Sequence, residues 1–160
     1  MAKIERLREV LSYEPETGEL RWKVATSSAV KVGAIAGTPR KSGHRQLRLD
    51  TKIYLCHRVV WAMVHGEWPD GEIDHINGIT GDNRIANLRV VDRRTNAENK
   101  RRAQSNSLTG CLGVSPRSNG YAASIRTRGR FIWLGRYDTA EEASMAYIAA
   151  KRQIHAGCTL

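Results

Sequence analysis

Hydrophobic positions along the chain recur at two different spacings, which predict short helices and short strands in one molecule. Apolar side chains recur at helical spacing over residues 3–12 and again over residues 57–65. Apolar and polar residues alternate over residues 20–24, as they do in a strand with one buried face. A second alternating pattern over residues 47–55 is interrupted by a polar Asp-Thr pair, which predicts a β-hairpin.

The run between residues 72 and 99 is more polar and predicts strand, loop, strand and helix in that order. The first strand ends in the adjacent residues Asp74 and His75, and a glycine-containing loop follows. Residues 88–91 predict a second strand, and a polar helix begins at about residue 92.

From residue 113 onward the pattern predicts three short strands followed by one helix. The strands are predicted at 113–117, 121–126 and 130–134, with turns between them. Thr139 precedes Glu142 at the spacing of a capping box, which marks the start of the helix. Before these strands, the polar run 104–110 predicts a linker between an N-terminal domain, 1–103, and a C-terminal domain, 111–160.

The charge balance indicates a polyanionic partner. Lys and Arg number 26 against 16 Asp and Glu, so the formal charge is +10. Nucleic acid is the first candidate, although ribosomal-type structural proteins and membrane-surface proteins share this bias. The 3 cysteines are far apart, which argues against a disulfide framework or a zinc ribbon and fits a reducing compartment. With no signal-like start and no apolar run long enough for a membrane, we expect a soluble, cytoplasmic protein.

Three groups of polar residues within 72–99 stand in a fixed order. They read D-H-I-N-G, then D-N-R-x-x-N-L-R, then N-A-E-N on the predicted helix. Together with the order of elements, they resemble the HNH nuclease motif. The resemblance implies a ββα-metal finger at about residues 72–102. A similar H-R-x-x-W helix precedes the finger in such nucleases, which favours a scaffold role for His57 and His65. The alternative is that the loop asparagines only serve turns and caps.

The resemblance also implies a role for each polar residue. His75 would be the general base, since a neutral imidazole with a pKa near about 6.5 suits that task at neutral pH. Asp74 and Asn96 would hold one Mg²⁺ or Mn²⁺ ion, because hard cations prefer oxygen ligands. Asn87 would fix the loop so that His75 faces the phosphate. Adjacent residues of a strand point to opposite faces, so Asp74 and His75 can share one site only if the strand ends there.

The C-terminal region carries a second resemblance. The segments Y-A-A-S-I-R and W-L-G-R-Y-D-T-A-E-E-A closely resemble the APETALA2-type DNA-binding domain over about residues 110–157. This implies a three-stranded sheet in the major groove with a helix behind it. Ser115, Ser124 and Phe131 replace arginine, glutamate and arginine of plant members, so base preference cannot be carried over. The alternative is a small packing module whose arginines are solvated.

The side chains expected to contact DNA come from both regions. They are Arg84, Arg89, Arg93, Arg94, Lys100, Arg101, Arg117, Ser124, Arg126, Arg128, Arg130 and Trp133.

As a whole, the chain resembles the HNH homing endonucleases of phages and bacteria. The expected fold class is α+β: an N-terminal α/β scaffold with the ββα-metal finger, then a three-stranded antiparallel sheet and one helix. The expected activity is metal-dependent nicking of double-stranded DNA by a monomer without a protein partner. The alternatives are a DNA-binding regulator with a catalytically inert finger, or a basic RNA-binding or assembly protein.

Overall fold

The computed structural model describes residues Met1–His155 and Gly157–Leu160. The helices in this part of the chain are α1 (Ile4–Val10), α2 (Cys56–His65), α3 (Arg93–Glu98) and α4 (Ala140–Ile154). The strands are β1 (Leu11–Glu14), β2 (Glu19–Trp22), β3 (Thr38–Pro39), β4 (Arg45–Leu49), β5 (Lys52–Leu55), β6 (Glu72–His75), β7 (Leu88–Val91), β8 (Val114–Arg117), β9 (Gly120–Thr127) and β10 (Arg130–Tyr137).

The described strands pair in small antiparallel sheets. β1 pairs with β2, β6 pairs with β7, and β3–β4–β5 and β8–β9–β10 each form a three-stranded sheet. This mixture of helices and small antiparallel sheets agrees with the predicted α+β class. The hairpin predicted at 47–55 is confirmed, with Asp50 and Thr51 at its turn. None of the described helices combines the length and the apolar composition that a bilayer span requires.

The contacts within the chain define two compact units, Met1–Asp92 and Arg93–Leu160. The second unit includes α3 and the residues after it, where the Lys151 side chain donates to the carbonyl of Lys100. The sequence instead predicts a domain limit after residue 103, and that domain assignment remains a prediction.

Helices α1 and α2 supply the centre of the core in the first unit. Leu7 and Val10 on α1 and Val59 on α2 are 0% exposed. The first helix ends at Val10, two residues before the predicted end at residue 12. Its carbonyl at Val10 accepts a hydrogen bond from Lys23 N (2.8 Å), and Leu11 starts the β1–β2 ladder. Sheet pairing therefore takes over from the helical pattern at this point.

Arg58, the third residue of α2, fixes the turn that leads into β6. Arg58 donates to the carbonyl of Gly71 (2.8 Å) and to that of Pro69 (2.9 Å). In the same turn, Trp68 Nε1 donates to the carbonyl of Ala2 (2.9 Å). The rigid, planar guanidinium thus ties both carbonyls to α2 through its two terminal nitrogens. Strand β6 therefore begins at a position set by α2.

In the second unit, α4 packs on one face of the β8–β9–β10 sheet. Ala123 and Ile125 on β9 and Ala143 on α4 are buried. The predicted capping box is present: Thr139 Oγ1 accepts from Glu142 N (3.2 Å), and Thr139 N donates to the Glu142 carboxylate (3.3 Å).

Replacing Thr139 with alanine should destabilise α4, because the substitution removes the acceptor for an N–H group at the start of the helix. An N-cap of this kind contributes about 1 kcal/mol. We expect the opening free energy of α4 amides, measured by hydrogen exchange, to fall by about that amount. Thr139→Ser keeps the hydroxyl and is the matched control. Equal losses in both variants would contradict a capping role.

Candidate active site

Strand β6 carries the adjacent acid and imidazole of the site. Within the β6–β7 ladder, Asp74 lies opposite Arg89 and His75 lies opposite Leu88. Asp74 is 6% exposed and His75 is 4% exposed. Burial of polar groups is unfavourable unless they form hydrogen bonds, so the partners of these two residues decide what they can do.

The Asp74 carboxylate forms an ion pair with the neighbouring strand. Arg89 Nε and Nη2 lie 2.9 and 2.8 Å from Asp74 Oδ2. The pair joins the predicted metal ligand to a residue that the sequence predicts as a DNA contact. In this structure the guanidinium of Arg89 therefore orients Asp74, and its contact with DNA remains a prediction.

The His75 imidazole forms its hydrogen bond on the loop between the strands. Its Nε2 lies 3.1 Å from Oδ1 of Asn83, which is also buried. An amide oxygen can only accept, so Nε2 carries the proton and the lone pair of neutral His75 is on Nδ1. Sequence reasoning treated Asn83 only as a possible turn residue. Its role depends on the folded loop and has no local sequence signal.

Asn87 joins the two ends of this loop. Its Oδ1 accepts from Asn77 N (2.9 Å), and its Nδ2 donates to the carbonyl of Asp82 (2.8 Å). The backbone carbonyl of Asn87 also accepts from Ile76 N (2.9 Å). The loop is therefore held directly beside His75. These bonds are those of a positioning residue, and a catalytic role for Asn87 remains a prediction.

Arg84 braces the same loop from its outer side. Its Nε and Nη2 lie 2.8 and 2.6 Å from the two carboxylate oxygens of Asp82. Hydrogen bonds from Arg84 are the largest cause that lowers the pKa of Asp82 to about 2. Because Arg84 is exposed, the predicted contact of this side chain with DNA is compatible with the ion pair.

The N-terminal hairpin holds the segment that contains Asn83. Tyr13 Oη accepts from Ile85 N (2.9 Å) and donates to the carbonyl of Asn83 (3.3 Å). At Gly18, φ is +76° and an added Cβ would lie 2.5 Å from Arg84 N. Only glycine fits both the backbone conformation and this close approach.

Two further histidines lie against His75. The ring centroids of His57 and His75 are 5.2 Å apart, and His44 lies 5.1 Å from His57 and 5.6 Å from His75. One possible ligand atom from each ring lies within 4.8 Å of the others. Three imidazoles in this arrangement could hold a metal ion. The sequence assigned His57 to the scaffold and gave no signal for His44, because residues 44, 57 and 75 meet only in the fold.

The surroundings of His57 and His44 lower the pKa of both rings. Burial, followed by repulsion from His75 and His44, lowers the pKa of His57 to about 3. Burial and then repulsion from His75 also lower the pKa of His44. A neutral imidazole has a lone pair available for a metal or a proton.

Asn96 and the predicted phosphate contacts near it belong to the second unit. Asn96 is half-buried on α3, and Arg93 and Arg94 are exposed on the same helix. Lys100 is also exposed, whereas Arg101 is half-buried and donates to Thr159. The assignments of Asn96 as a metal ligand and of the basic residues as DNA contacts remain predictions.

The uncovered face of the β8–β9–β10 sheet carries aromatic and polar side chains. The register places Trp133 opposite Ser124 and Phe131 opposite Arg126. Trp133 is 51% exposed and Phe131 is 60% exposed. Arg117 is exposed on β8.

Two more predicted DNA contacts, Arg128 and Arg130, are exposed at the β9–β10 turn. Of the predicted DNA contacts in the second unit, Ser124 and Arg101 are half-buried. The others are exposed, namely Arg93, Arg94, Lys100, Arg117, Arg126, Arg128, Arg130 and Trp133.

Comparison with known families matches the part of the chain that carries Asp74, His75, Asn83 and Asn87. Residues 54–98 match the family described as HNH endonuclease, and the match includes α2, β6, β7 and α3. Neither a curated protein nor a solved structure matches the chain. HNH nucleases act on DNA and commonly depend on a divalent metal. Residues 54–98 therefore form an HNH endonuclease domain.

Proposed function

We propose that the protein is a metal-dependent DNA endonuclease that hydrolyses a phosphodiester bond. The observation that carries the proposal is the buried hydrogen bond between His75 and Asn83 inside the region that matches HNH endonucleases. This bond orients the His75 imidazole and makes Nε2 the donor, so that the proposed base is Nδ1. Such an arrangement suits a general base.

The proposed step uses Nδ1 of His75. This nitrogen takes a proton from water, and the resulting hydroxide attacks phosphorus. The bond from phosphorus to the 3′ oxygen then breaks, which leaves a 5′-phosphate and, after protonation, a 3′-hydroxyl. Asn83 keeps the ring in the tautomer that this step needs, and Asn87 keeps the loop beside it.

Asp74 fits a hard divalent ion such as Mg²⁺ or Mn²⁺, because its carboxylate supplies the oxygen ligand that these ions prefer. Asn96, whose side chain also offers an oxygen, is the proposed second ligand of this one ion. When bound, the ion would stabilise negative charge on the leaving oxygen. Arg89 would orient the Asp74 carboxylate through the bonds to Oδ2.

We propose the exposed sheet face of the second unit as a surface for double-stranded DNA. Arg126 and Arg117 offer contacts to phosphate, and Trp133 offers a flat apolar surface beside them. The resemblance to APETALA2-type domains supports a position in the major groove. We further propose that the protein is a homing-type nuclease of a phage or bacterium. It would act in the cytoplasm as a monomer and nick one strand.

The ion pair between Asp74 and Arg89 favours a second candidate, a DNA-binding regulator with an inert HNH centre. A carboxylate that is already paired with a guanidinium attracts a second cation less strongly. The two candidates differ in whether Asp74 is needed for cleavage or only for structure.

Replacing His75 with alanine should lower the nicking rate by about 10²–10⁴-fold, the range for loss of a general base. The measurement is conversion of supercoiled plasmid to open circles in Mg²⁺. His65→Ala, an exposed histidine of α2, is the control and should nick normally. A nicking rate of His75→Ala equal to that of wild type would show that His75 is not the general base.

Replacing Asp74 with alanine should abolish nicking while duplex binding in a mobility shift persists. The expected cause is loss of the oxygen ligand, and Asn96→Ala should have the same effect. Arg89→Ala is the matched comparison, because it removes the other half of the ion pair and leaves the carboxylate in place. Wild-type protein that binds DNA but never nicks in Mg²⁺ or Mn²⁺ would support the inert regulator.

Replacing Arg126 with glutamine should weaken duplex binding, because one phosphate contact is lost. The slope of log affinity against log salt concentration should become less steep by about one. Arg152→Gln removes the same charge from α4 and is the control. The affinity of each variant would be measured over a range of salt concentrations. The same loss in both variants would show a general effect of charge and would contradict a specific sheet contact.

A further inference from the structure

The three imidazoles around His75 come from three separate elements of the first unit. His57 lies in the first turn of α2, His75 is the last residue of β6, and His44 directly precedes β4. Their convergence therefore requires the folded arrangement of α2, β6 and the turn before β4.

The turn that carries His44 is held against the loop after β6. At Gly43, φ is +85° and an added Cβ would lie 2.3 Å from Thr80 Oγ1. The Thr80 hydroxyl donates to the carbonyl of Ser42 (3.3 Å), and Ser42 Oγ lies 3.1 Å from His44 Nδ1. A glycine is needed for this close approach, which brings His44 to the other two rings.

His57 has a buried ring nitrogen that is suited to a metal ligand. The residue is 5% exposed, and its Nδ1 is buried without a hydrogen-bond partner among the described residues. A buried polar atom left without a partner is unfavourable for the folded state. A ligand that accepts the lone pair of an imidazole would offset this cost.

The donor set of the cluster differs from that of a magnesium site. Its three members are all imidazoles, and no carboxylate belongs to the group found among the described residues. Imidazole suits zinc, cobalt, nickel and copper, whereas magnesium prefers oxygen. The cluster is therefore matched to a different class of ion from the one proposed for Asp74.

We propose that His44, His57 and His75 form a binding site for Zn²⁺ or a similar transition-metal ion, and that an ion bound there inhibits the nuclease by occupying His75. The second half rests on the proposed function, since only a working base can be blocked. A nitrogen lone pair that binds a metal cannot also accept a proton from water. Zinc in this site would therefore remove the base without touching Asp74.

Binding of a zinc ion requires the three imidazole rings to move slightly closer together. Zn–N bonds are about 2.0–2.1 Å long, so a tetrahedral centre needs nitrogens about 3.4 Å apart. From a separation within 4.8 Å, the rings must approach by at most about 1.4 Å. His44 is half-buried on a turn, whereas His57 and His75 are buried on a helix and a strand. His44 is thus the ring that can move.

The binding test uses the full chain with Co²⁺ as a spectroscopic probe and Zn²⁺ in calorimetry. We expect one Zn²⁺ per chain and the visible absorption of four- or five-coordinate Co²⁺. His44→Gln and His57→Gln should each weaken Zn²⁺ binding at least tenfold, whereas His65→Gln should not. No such absorption, or unchanged affinity in both cluster variants, would overturn the proposal. Circular dichroism would show whether either variant fails to fold. The zinc affinity of the variant that folds would then test the proposal.

The activity test measures plasmid nicking in Mg²⁺ with and without added Zn²⁺, each variant being compared with its own zinc-free rate. Zinc should inhibit wild type and His65→Gln, and His44→Gln should need at least tenfold more Zn²⁺ for the same inhibition. A chain that binds zinc through His44 but never nicks would overturn the proposed function and leave the metal site intact. A chain that nicks but shows no zinc binding through the cluster would overturn the site and leave the function intact.

Discussion

Burial of three successive residues on β6 is the constraint on which the rest of the first unit depends. Ile73, Asp74 and His75 are all buried, so both faces of this short strand must be covered. The two polar residues must also find partners, since an unsatisfied buried group costs about 1–3 kcal/mol. Arg89 on β7 and Asn83 on the loop meet this need. The strand, its neighbour and the loop therefore stabilise one another.

The state of the His75 ring consequently depends on residues far away in the chain. Asn83 can accept from His75 only while its segment stays in place, and Tyr13 and Gly18 of the N-terminal hairpin hold that segment. The tautomer of His75 is thus linked to the N-terminal hairpin, which is not part of the HNH motif. Substitutions at Gly18 would act on His75 through the backbone at Asn83 and Arg84, which an added Cβ would approach to within 3.0 Å.

Local patterns predicted the elements, but contacts between distant segments decided the site. The strand that ends at His75, the helix that starts near His57 and the capping box at Thr139 follow from spacing within a few residues. The end of α1 was wrong by two residues, because pairing of β1 with β2 competes with the helix. His44 and Asn83 had no local signal, since each acquires its partner only when loops meet in the folded chain.

The sequence left open whether adjacent residues of a strand could serve one centre. In the structure Asp74 contacts Arg89, whereas His75 contacts Asn83 and lies beside His57, so the two side chains have different surroundings. One side supplies a carboxylate and the other supplies imidazoles, which differ in the ions they prefer. The alternation of the strand thereby separates the carboxylate that we propose as a metal ligand from the imidazole that we propose as a base. Under the two proposals above, one short strand would carry ligands for two classes of ion, and a zinc ion at the imidazoles would compete with the proton for His75.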